Sequence, residues 1–596
     1  MKREHLDPES RLYRVRHSLA HVMAQAVLEL RPNAKLGYGP PTEHGFFYDF
    51  DLDPPLSTED FPQIEERMRR IIKENNSFER EDYLADELLN QLRAEGKDYK
   101  ADMAEGFKAQ GDETLSVYRA GNFSDMCEGP HVAATGDLPA NAFMLDSIAG
   151  AYWKGDESNK MMQRIYGLAF LDRKELKAFL ERRELAKQRD HRKLGAEMQL
   201  FAISEEVGKG LPLFMPHGEA IRGELEKLAM ETEFRAGYER VSTPHITREG
   251  LYHTSGHLPY YKEDMFPPMN LDGEAYYLKP MNCPHHHMIY KAVPRSYREL
   301  PLRLAEYGMC YRYEQSGELS GLLRVRALAI NDAHIYCTPE QTKAEFVQVM
   351  QMHMDYYRLF GISDYWVRLS LPDLDEAGKY LDQPERWQQA MEIITTSMQE
   401  VEFPYEAVPG EAAFYGPKVD MQIQNVVGRE ETASTNQLDV MMAERFDLTY
   451  VGPDNRPHHP NIIHRAPLGS HERFIAFLVE HYGGIFPTWL APEQVRIVPV
   501  APAFLDYAHT LEQALRQQLV RVRVDDSQES FGKKIRNGVT DKVPNLFIIG
   551  QKEQDDEAVS WRRHGSKDQQ TLRFDAAKNS LLEEIRERRD WRRNSA

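Results

Sequence analysis

Apolar residues recur at helical spacing from Leu12 to Leu30 (LYRVRHSLAHVMAQAVLEL), which predicts an amphipathic helix stopped by Pro32. GYGPPTEHG (37–45) then predicts a loop by its Gly and Pro content. Up to about residue 170, short strand-like runs mix with helices, as in an α+β domain. From Asp172 to Gly195, DRKELKAFLERRELAKQRDHRKLG is dense in helix formers and charges, predicting an exposed connecting helix ended by Gly195. Residues 196–490 alternate strand-like pieces with helices and hold most of the histidines and aromatics. After PTWLAP (487–492), the β-rich runs VRIVPVA, VRVDD and NLFIIG are separated by helical stretches such as LDYAHTLEQALRQQL. That alternation predicts a small α/β domain with a mixed or parallel sheet. The expected domains are 1–171, a linker helix 172–195, 196–490 and 491–596.

Length agrees with this division, since 596 residues correspond to three or four domains. No run of about 18 apolar residues occurs, which excludes a membrane-spanning helix. MKREHLDPES has no apolar segment of the secretory kind, and four cysteines are too few for a disulfide framework. A cytoplasmic protein is expected. The formal charge of −20 argues against a nucleic-acid partner only at first sight, because a local basic face is compatible with it. Residues 491–596 hold 19 Lys and Arg against 17 Asp and Glu, leaving −22 on the other 490 residues. Any RNA contact is therefore sought first in the C-terminal segment.

Four groups of residues carry possible chemistry. His17 and His21 stand one helical turn apart and share a face. With Cys127 and His131 of DMCEGPH they make a plausible metal set, or equally a hydrolytic pocket that holds water. An imidazole titrating near neutral pH would serve the second reading. Cys283 in KPMNCPHHH, His334 in NDAHIYC and His464 in NIIHRAPLG could give three ligands and an open position, although their spacing alone does not establish the set. Arg312-Tyr313-Glu314, read as strand, places Arg and Glu on one face, and QSGELSGLLRVR leads on to Arg324 and Arg326. Such a strand–loop–strand suits a triphosphate held by guanidinium forks, but also describes a solvated surface hairpin. Arg473, in LGSHERF at the start of a helix after IIHRA, could reach a nucleotide or lie on the helix surface.

Taken together, these pieces resemble the threonyl-tRNA synthetase family of class II aminoacyl-tRNA synthetases. RYEQSGELSGLLRVR resembles class II motif 2, and GSHERF resembles motif 3. AFYGPK (413–418), TYVGPDN (449–455), IHRAPLGS (463–470) and FPTWLAP (486–492) are similar to the same family. HSLAHVMAQAV, DMCEGPHV, GAYWKGD and NKMMQRIYG resemble its editing domain. The likeness runs in order along nearly the whole chain. It implies an α+β multidomain protein: an antiparallel class II catalytic core, an N-terminal α+β editing domain and a C-terminal α/β anticodon-binding domain. A homodimer is implied as well.

The implied reaction joins threonine and ATP, with Mg, as threonyl-adenylate, and then transfers threonine to the end of its tRNA. By the resemblance, Cys283, His334 and His464 match the ligands of one zinc per subunit, on which threonine would be held by its amino and hydroxyl groups. Asp332 matches the acceptor of that hydroxyl, with Tyr415 and Gln437 lining the threonine pocket. Arg312, Glu314, Arg324, Lys418, Thr435 and Arg473 match ATP contacts, Arg312 and Arg473 on the phosphates. His257 matches a histidine assigned to deprotonating the tRNA hydroxyl. A zinc site that binds a hydroxyl rejects valine strongly, whereas serine differs from threonine by one methyl, worth about 1–3 kcal/mol. The second sieve implied for serine is the pocket of His17, His21, Lys100, Asp125, Cys127 and His131, expected to work without metal. Lys533, Lys534, Arg536, Arg562 and Arg563 are the expected anticodon contacts.

Some positions depart from the family pattern. The editing helix begins almost at the N-terminus, so the family's ubiquitin-like TGS domain is expected to be absent. Motif 2 continues RVRALA instead of R-V-R-G-F-T, placing Ala327 and Leu328 at the adenine-stacking region. Ile330 stands where a Gln is frequent, and His285 replaces the Gly after M-N-C-P. These changes admit a specialised, inhibitor-tolerant second copy of the synthetase. Readings from other classes are a metal hydrolase built on H-x-x-x-H and a non-enzymatic RNA-binding regulator.

Overall fold

The computed structural model describes residues 7–373, 380, 383–401, 403–424 and 430–593. It divides into two compact units, 1–184 and 185–596.

The first unit is built on helix Arg11–Leu30, whose start is fixed by the Ser10 side chain accepting the Tyr13 N–H. The helix is not the one-faced amphipathic element predicted: residues 15–24 are all buried. Its apolar side chains, Leu19 and Met23 among them, pack with Phe46, Phe50, Ile64 and Met68. Arg16 is buried because its guanidinium finds partners. The Arg16 guanidinium donates to the carbonyls of Ala169, Thr42 and Glu43 at 3.1, 3.2 and 2.8 Å. A five-stranded sheet runs in the order 35–36, 45–51, 161–169, 143–152, with 41–42 paired to 45–51. A second sheet joins 79–84, 114–120 and 123–126.

The predicted connecting helix is two helices. Arg173–Arg189 ends at Asp190, whose carboxylate accepts the Arg192 N–H at 2.8 Å and starts His191–Glu197. Gly195 lies inside that second helix and does not end it. A Cβ there would sit 2.4 Å from the Phe201 ring, so close packing accounts for the glycine.

The second unit centres on an eight-stranded sheet ordered 239–240, 302–311, 327–337, 461–466, 430–439, 418–424, 365–371, 405–409. Its interior pairs are antiparallel and its two edge pairs parallel. Strand alternation positions the chemistry. Ala333, Ile335, Cys337 and Ile463 face a core shared with Phe346, Trp387 and Phe474 from the covering helices. The residues between them, Asp332, His334 and His464, therefore project from the opposite face. The C-terminal segment forms a mixed five-stranded sheet, 522–524, 495–499, 545–549, 558–563, 569–573. The first three strands are parallel and the last two antiparallel.

Candidate functional sites

Cys283 opens helix Cys283–Lys291, while His334 and His464 sit directly opposite each other on neighbouring antiparallel strands. All three are buried, and one ligand atom from each falls within 4.8 Å of the others. His464 donates from Nε2 to Asp439 at 3.1 Å, and Asp439 also accepts the N–H groups of Met441 and Met442. His334 Nδ1 meets His286 Nδ1 at 2.8 Å, and His286 Nε2 meets Glu306 at 3.1 Å. Asp332 accepts from Asn282 Nδ2 at 3.1 Å and stands opposite Glu306 in the sheet register. Burial pushes the Asp332 carboxyl up. Burial would do the same to Glu306, but His286, Lys279 and Thr243 together outweigh it and hold that carboxyl at about 2. Of two carboxylates opposite each other in register, one is thus raised by burial and the other lowered by its partners.

Tyr415 donates to Gln437 at 2.8 Å, Gln437 to Thr435 at 3.2 Å, and the Tyr415 ring lies 5.2 Å from that of His464. Lys418, paired across the strands with Gln437, bridges to Asp420 at 2.9 Å. His257 is buried, with Nδ1 at 2.7 Å from Ser255 Oγ and Nε2 at 3.1 Å from Met281 Sδ. Burial, then Arg312 and His464, lower its pKa to about 4.

Arg312 and Glu314 are not on a strand. The strand ends at Tyr311, because the Tyr313 N–H turns to the Asp264 carbonyl at 2.8 Å. Both residues begin the hairpin loop that returns at Ala327. Arg324 bridges to Glu314 at 3.5 Å and to Glu318 at 3.2 Å. Arg473, on helix His471–Tyr482 capped by Ser470, donates to the carbonyls of Leu323 at 3.1 Å and Thr432 at 3.2 Å. Burial lowers its pKa, and Arg312 and Arg324 add to the effect, so the three guanidinium groups share one neighbourhood.

Of the unusual residues, Leu328 packs on Cys310 and Val325, with Ile330 against them. His285 is 7% exposed and neither ring nitrogen has a hydrogen-bond partner.

In the first unit, Cys127 Sγ lies 3.2 Å from Nε2 of both His17 and His131, and Ser18 Oγ holds His131 Nδ1 at 3.0 Å. His131 stacks on Phe78. Lys100 and Asp125 form a buried pair at 2.8 Å, Tyr48 donates to Asp125, and His21 Nε2 faces the same carboxylate at 3.9 Å. A cavity of about 270 Å³ opens beside His17, His21, Lys100, Asp125 and Cys127. The near-neutral imidazole expected from sequence is not found here. Burial holds His17 at about 4 and pushes His21 and His131 well below their usual value, while the Cys127 thiol rises to about 12. Burial thus disfavours the charged form of all four side chains, His17, His21, Cys127 and His131.

The C-terminal cations separate into two kinds. Lys533 and Arg536 are exposed, Lys533 pairing only with Glu529. Arg562 is half-buried and donates to the Ser566 carbonyl. Lys534 is buried and donates to the Asp525 carbonyl at 2.9 Å. Arg563 is committed to Glu584 and Asn545 over the Trp561 ring. Both serve the domain's own packing, which a count of basic residues cannot distinguish from RNA contact.

Sequence reasoning passed over His286, Glu306 and Asp439 around the triad, and His191 beneath the motif 2 loop. The run of three histidines after Cys283 was the one local signal. The others become neighbours only through the fold.

Family comparisons agree with this geometry. Residues 266–482 match the tRNA synthetase class II core domain (G, H, P, S and T), and 494–584 match an anticodon binding domain. Residues 115–166 match the threonyl and alanyl tRNA synthetase second additional domain. The antiparallel-centred sheet, with motif 2 as a hairpin and motif 3 as a strand and helix, is that of a class II aminoacyl-tRNA synthetase. The threonine–tRNA ligase of Geobacillus kaustophilus is 47% identical over 580 residues, covering 96% of this chain and 88% of the relative. That of Listeria monocytogenes is 47% identical over 572 residues, covering 96% and 89%. A crystal structure of the RNA binding domain of the Cryptosporidium parvum threonyl-tRNA synthetase superposes with a TM-score of 0.64 at 33% identity, covering 66% of this chain and 98% of that one. The chain belongs to the threonine–tRNA ligase family. Nothing in these matches supports a hydrolase or a non-enzymatic regulator.

Proposed function

We propose that the chain activates threonine with ATP and transfers it to its tRNA, with a separate hydrolytic centre for serine. The observation that carries this reading is the convergence of Cys283, His334 and His464 beside Asp332, with His257 between His464 and Arg312 of the arginine-lined hairpin. A thiol and two imidazoles with an open position fit zinc better than the harder cations, and one zinc per subunit is assigned to them. When bound, the zinc supplies a Lewis-acid position for the amino and hydroxyl groups of threonine. Asp332 accepts from that hydroxyl, and Tyr415 and Gln437 wall the pocket.

Valine brings no hydroxyl to the buried Asp332, which is left with Asn282 as its donor, and this excludes valine far more strongly than a missing methyl excludes serine. Arg312 and Arg473 lie against the ATP phosphates and neutralise charge growing on the α-phosphate, with Arg324 further out. Glu314, Lys418 and Thr435 complete the nucleotide pocket. His257 has both nitrogens engaged, so taking a proton from the tRNA hydroxyl requires it first to leave Ser255 or Met281.

The first-unit cavity is assigned to seryl-tRNA hydrolysis, with neutral imidazoles positioning water and Lys100 near the leaving oxygen. The C-terminal domain is assigned to the anticodon loop, whose unstacked bases are open to side chains. A cytoplasmic homodimer completes the proposal. Threonine-dependent pyrophosphate exchange, run with serine and valine and paired with zinc analysis of Cys283→Ser, tests it. Normal exchange by a zinc-free variant would remove zinc from the reading.

A further inference from the structure

Each imidazole of the triad is fixed from behind by a carboxylate, but the two connections differ. Asp439 touches His464 directly. Glu306 reaches His334 only through a second histidine, His286. The partners of Glu306 restrict the protons in that chain. Glu306 Oε1 accepts the Thr243 N–H at 2.7 Å, Oε2 accepts the Thr243 hydroxyl at 2.9 Å, and Lys279 Nζ stands 3.7 Å away. Surrounded by donors and a cation, Glu306 is an ionised acceptor, so His286 presents Nε2–H to it. A neutral His286 then has a bare Nδ1. With His286 in that form, His334 donates its own Nδ1–H across the 2.8 Å contact, which leaves Nε2 of His334 with a free lone pair.

We propose that His286 and Glu306 are positioning residues that set the tautomer and ring orientation of His334 for metal binding. The inference rests on the zinc reading above and deepens it. The residues are built for this purpose. His286 is fully buried one turn after Cys283 on the same helix, and its ring meets that of His334 edge-on with centroids 4.7 Å apart. Glu306 is placed by strand register, opposite Asp332 and two residues along the sheet from the partner of His334. One helix turn and one strand pair therefore couple a thiolate ligand, an imidazole ligand and the threonine-hydroxyl acceptor. Partners of this kind ordinarily change metal affinity by 10–100-fold when removed.

The test is zinc affinity of the full-length protein, measured by competition with a chromophoric chelator, for wild type, His286→Leu, His286→Gln and Glu306→Gln. Leu fills space but cannot accept from His334, and zinc binding should weaken at least tenfold. Gln can accept on its oxygen and donate from its nitrogen, so His286→Gln should recover most of the loss, which a purely space-filling role does not explain. Glu306→Gln should weaken binding by a smaller factor. Cobalt-loaded His286→Gln should retain a tetrahedral visible spectrum, giving a second readout where His286→Leu fails to fold. Wild-type zinc affinity in His286→Leu, or a Gln variant no better than Leu, would overturn the relay alone. A wild-type chain that binds no zinc would overturn the zinc reading and the relay with it.

Discussion

His191 accepts the backbone N–H of Leu322 on Nε2 at 3.2 Å, while its Nδ1–H donates to Glu480 at 2.7 Å. One buried imidazole thus ties the motif 2 loop to the helix that carries Arg473. Gly321, at φ +51, is required beneath it, since a Cβ would fall 2.2 Å from His191 Nε2. His191→Phe keeps the ring volume but leaves the Leu322 N–H and Glu480 without this partner. Each such buried group costs about 1–3 kcal/mol, charged groups more. The expected result is a KM for ATP raised by about tenfold at unchanged zinc content, partly restored by His191→Gln. An unchanged KM for ATP would show that the loop holds itself.

Arg312→Ala or Arg473→Ala should lower adenylate formation by about 10²-fold, as when one donor to a developing anion is removed. Lysine should not restore Arg473. Its guanidinium already spans the Leu323 and Thr432 carbonyls, and a single ammonium cannot hold both and face a phosphate. Single-turnover measurement of adenylate formation checks this. Full rescue by lysine would reduce the requirement to charge.

Much of this arrangement is legible in the sequence. The hairpin around RYEQSGELSGLLRVR and the strand and helix around IHRAPLGSHERF were readable because turn residues and periodicity are local, but Arg312 and Glu314, read as strand, lie in the loop that starts after Tyr311. The triad was readable only by resemblance, since Cys283, His334 and His464 come together through sheet register over about 180 residues. The protonation states were not readable. His17 and His21 share a face as expected, but their burial by neighbouring elements removes the near-neutral titration an exposed imidazole would have. The helix 11–30 failed the amphipathic prediction for the same reason: carbonyls at the ends of strands 41–42 and 161–169 and of Glu43 satisfy Arg16, so a polar residue could enter the core. Lys534 and Arg563 count as basic in composition yet spend their hydrogen bonds internally.

Glu472 gives a pH dependence. Burial raises its carboxyl to about 7, against the Ala329 N–H that it accepts at 3.0 Å. A carboxyl raised in the folded state stabilises fully below its unfolded value, near 4.5, and that contribution is lost as pH rises through about 7. Integrated over that interval, the loss is about 3 kcal/mol at most. Glu472→Gln keeps an acceptor without the charge. The stability gap between variant and wild type in urea should be small at pH 5 and should favour the variant at pH 8. A gap independent of pH would mean that Glu472 is not titrating in this interval.

The C-terminal cations divide into two experiments. Lys533→Glu with Arg536→Glu should weaken tRNA binding and lessen its dependence on salt, because each lost phosphate contact lowers the slope by about one. Threonine-dependent pyrophosphate exchange should be unaffected. Arg563→Ala should instead destabilise the domain by leaving Glu584 without its strongest partner. Salt titration of tRNA affinity against the thermal transition of each variant separates the two. A stable Arg563→Ala with lost tRNA binding would reverse the assignment.

Editing is tested most sharply at the two histidines, because Lys100 is a poor first choice. Lys100 and Asp125 are each about 3% exposed and lie 2.8 Å apart, so removing the lysine strands a buried carboxylate. That costs about 3–5 kcal/mol and would mimic loss of catalysis by loss of fold. His17→Ala and His21→Ala remove only neutral rings from the cavity wall. Both should slow deacylation of purified seryl-tRNA by about 10²-fold or more, the scale of a positioned acid–base group, while threonine activation in the other unit stays near wild type. Since burial holds His17 at about 4 and Cys127 at about 12, neither changes charge in between. The wild-type rate, corrected for spontaneous hydrolysis, should therefore show no histidine-like inflection between pH 6 and 8. A bell-shaped profile centred there would mean that the cavity opens to solvent when tRNA binds. Undiminished deacylation in both variants would move editing elsewhere. Because the same four side chains, His17, His21, Cys127 and His131, could also hold a metal, the assay is repeated after chelation. Activity lost to the chelator and restored by zinc would replace the metal-free pocket with a metal-dependent one.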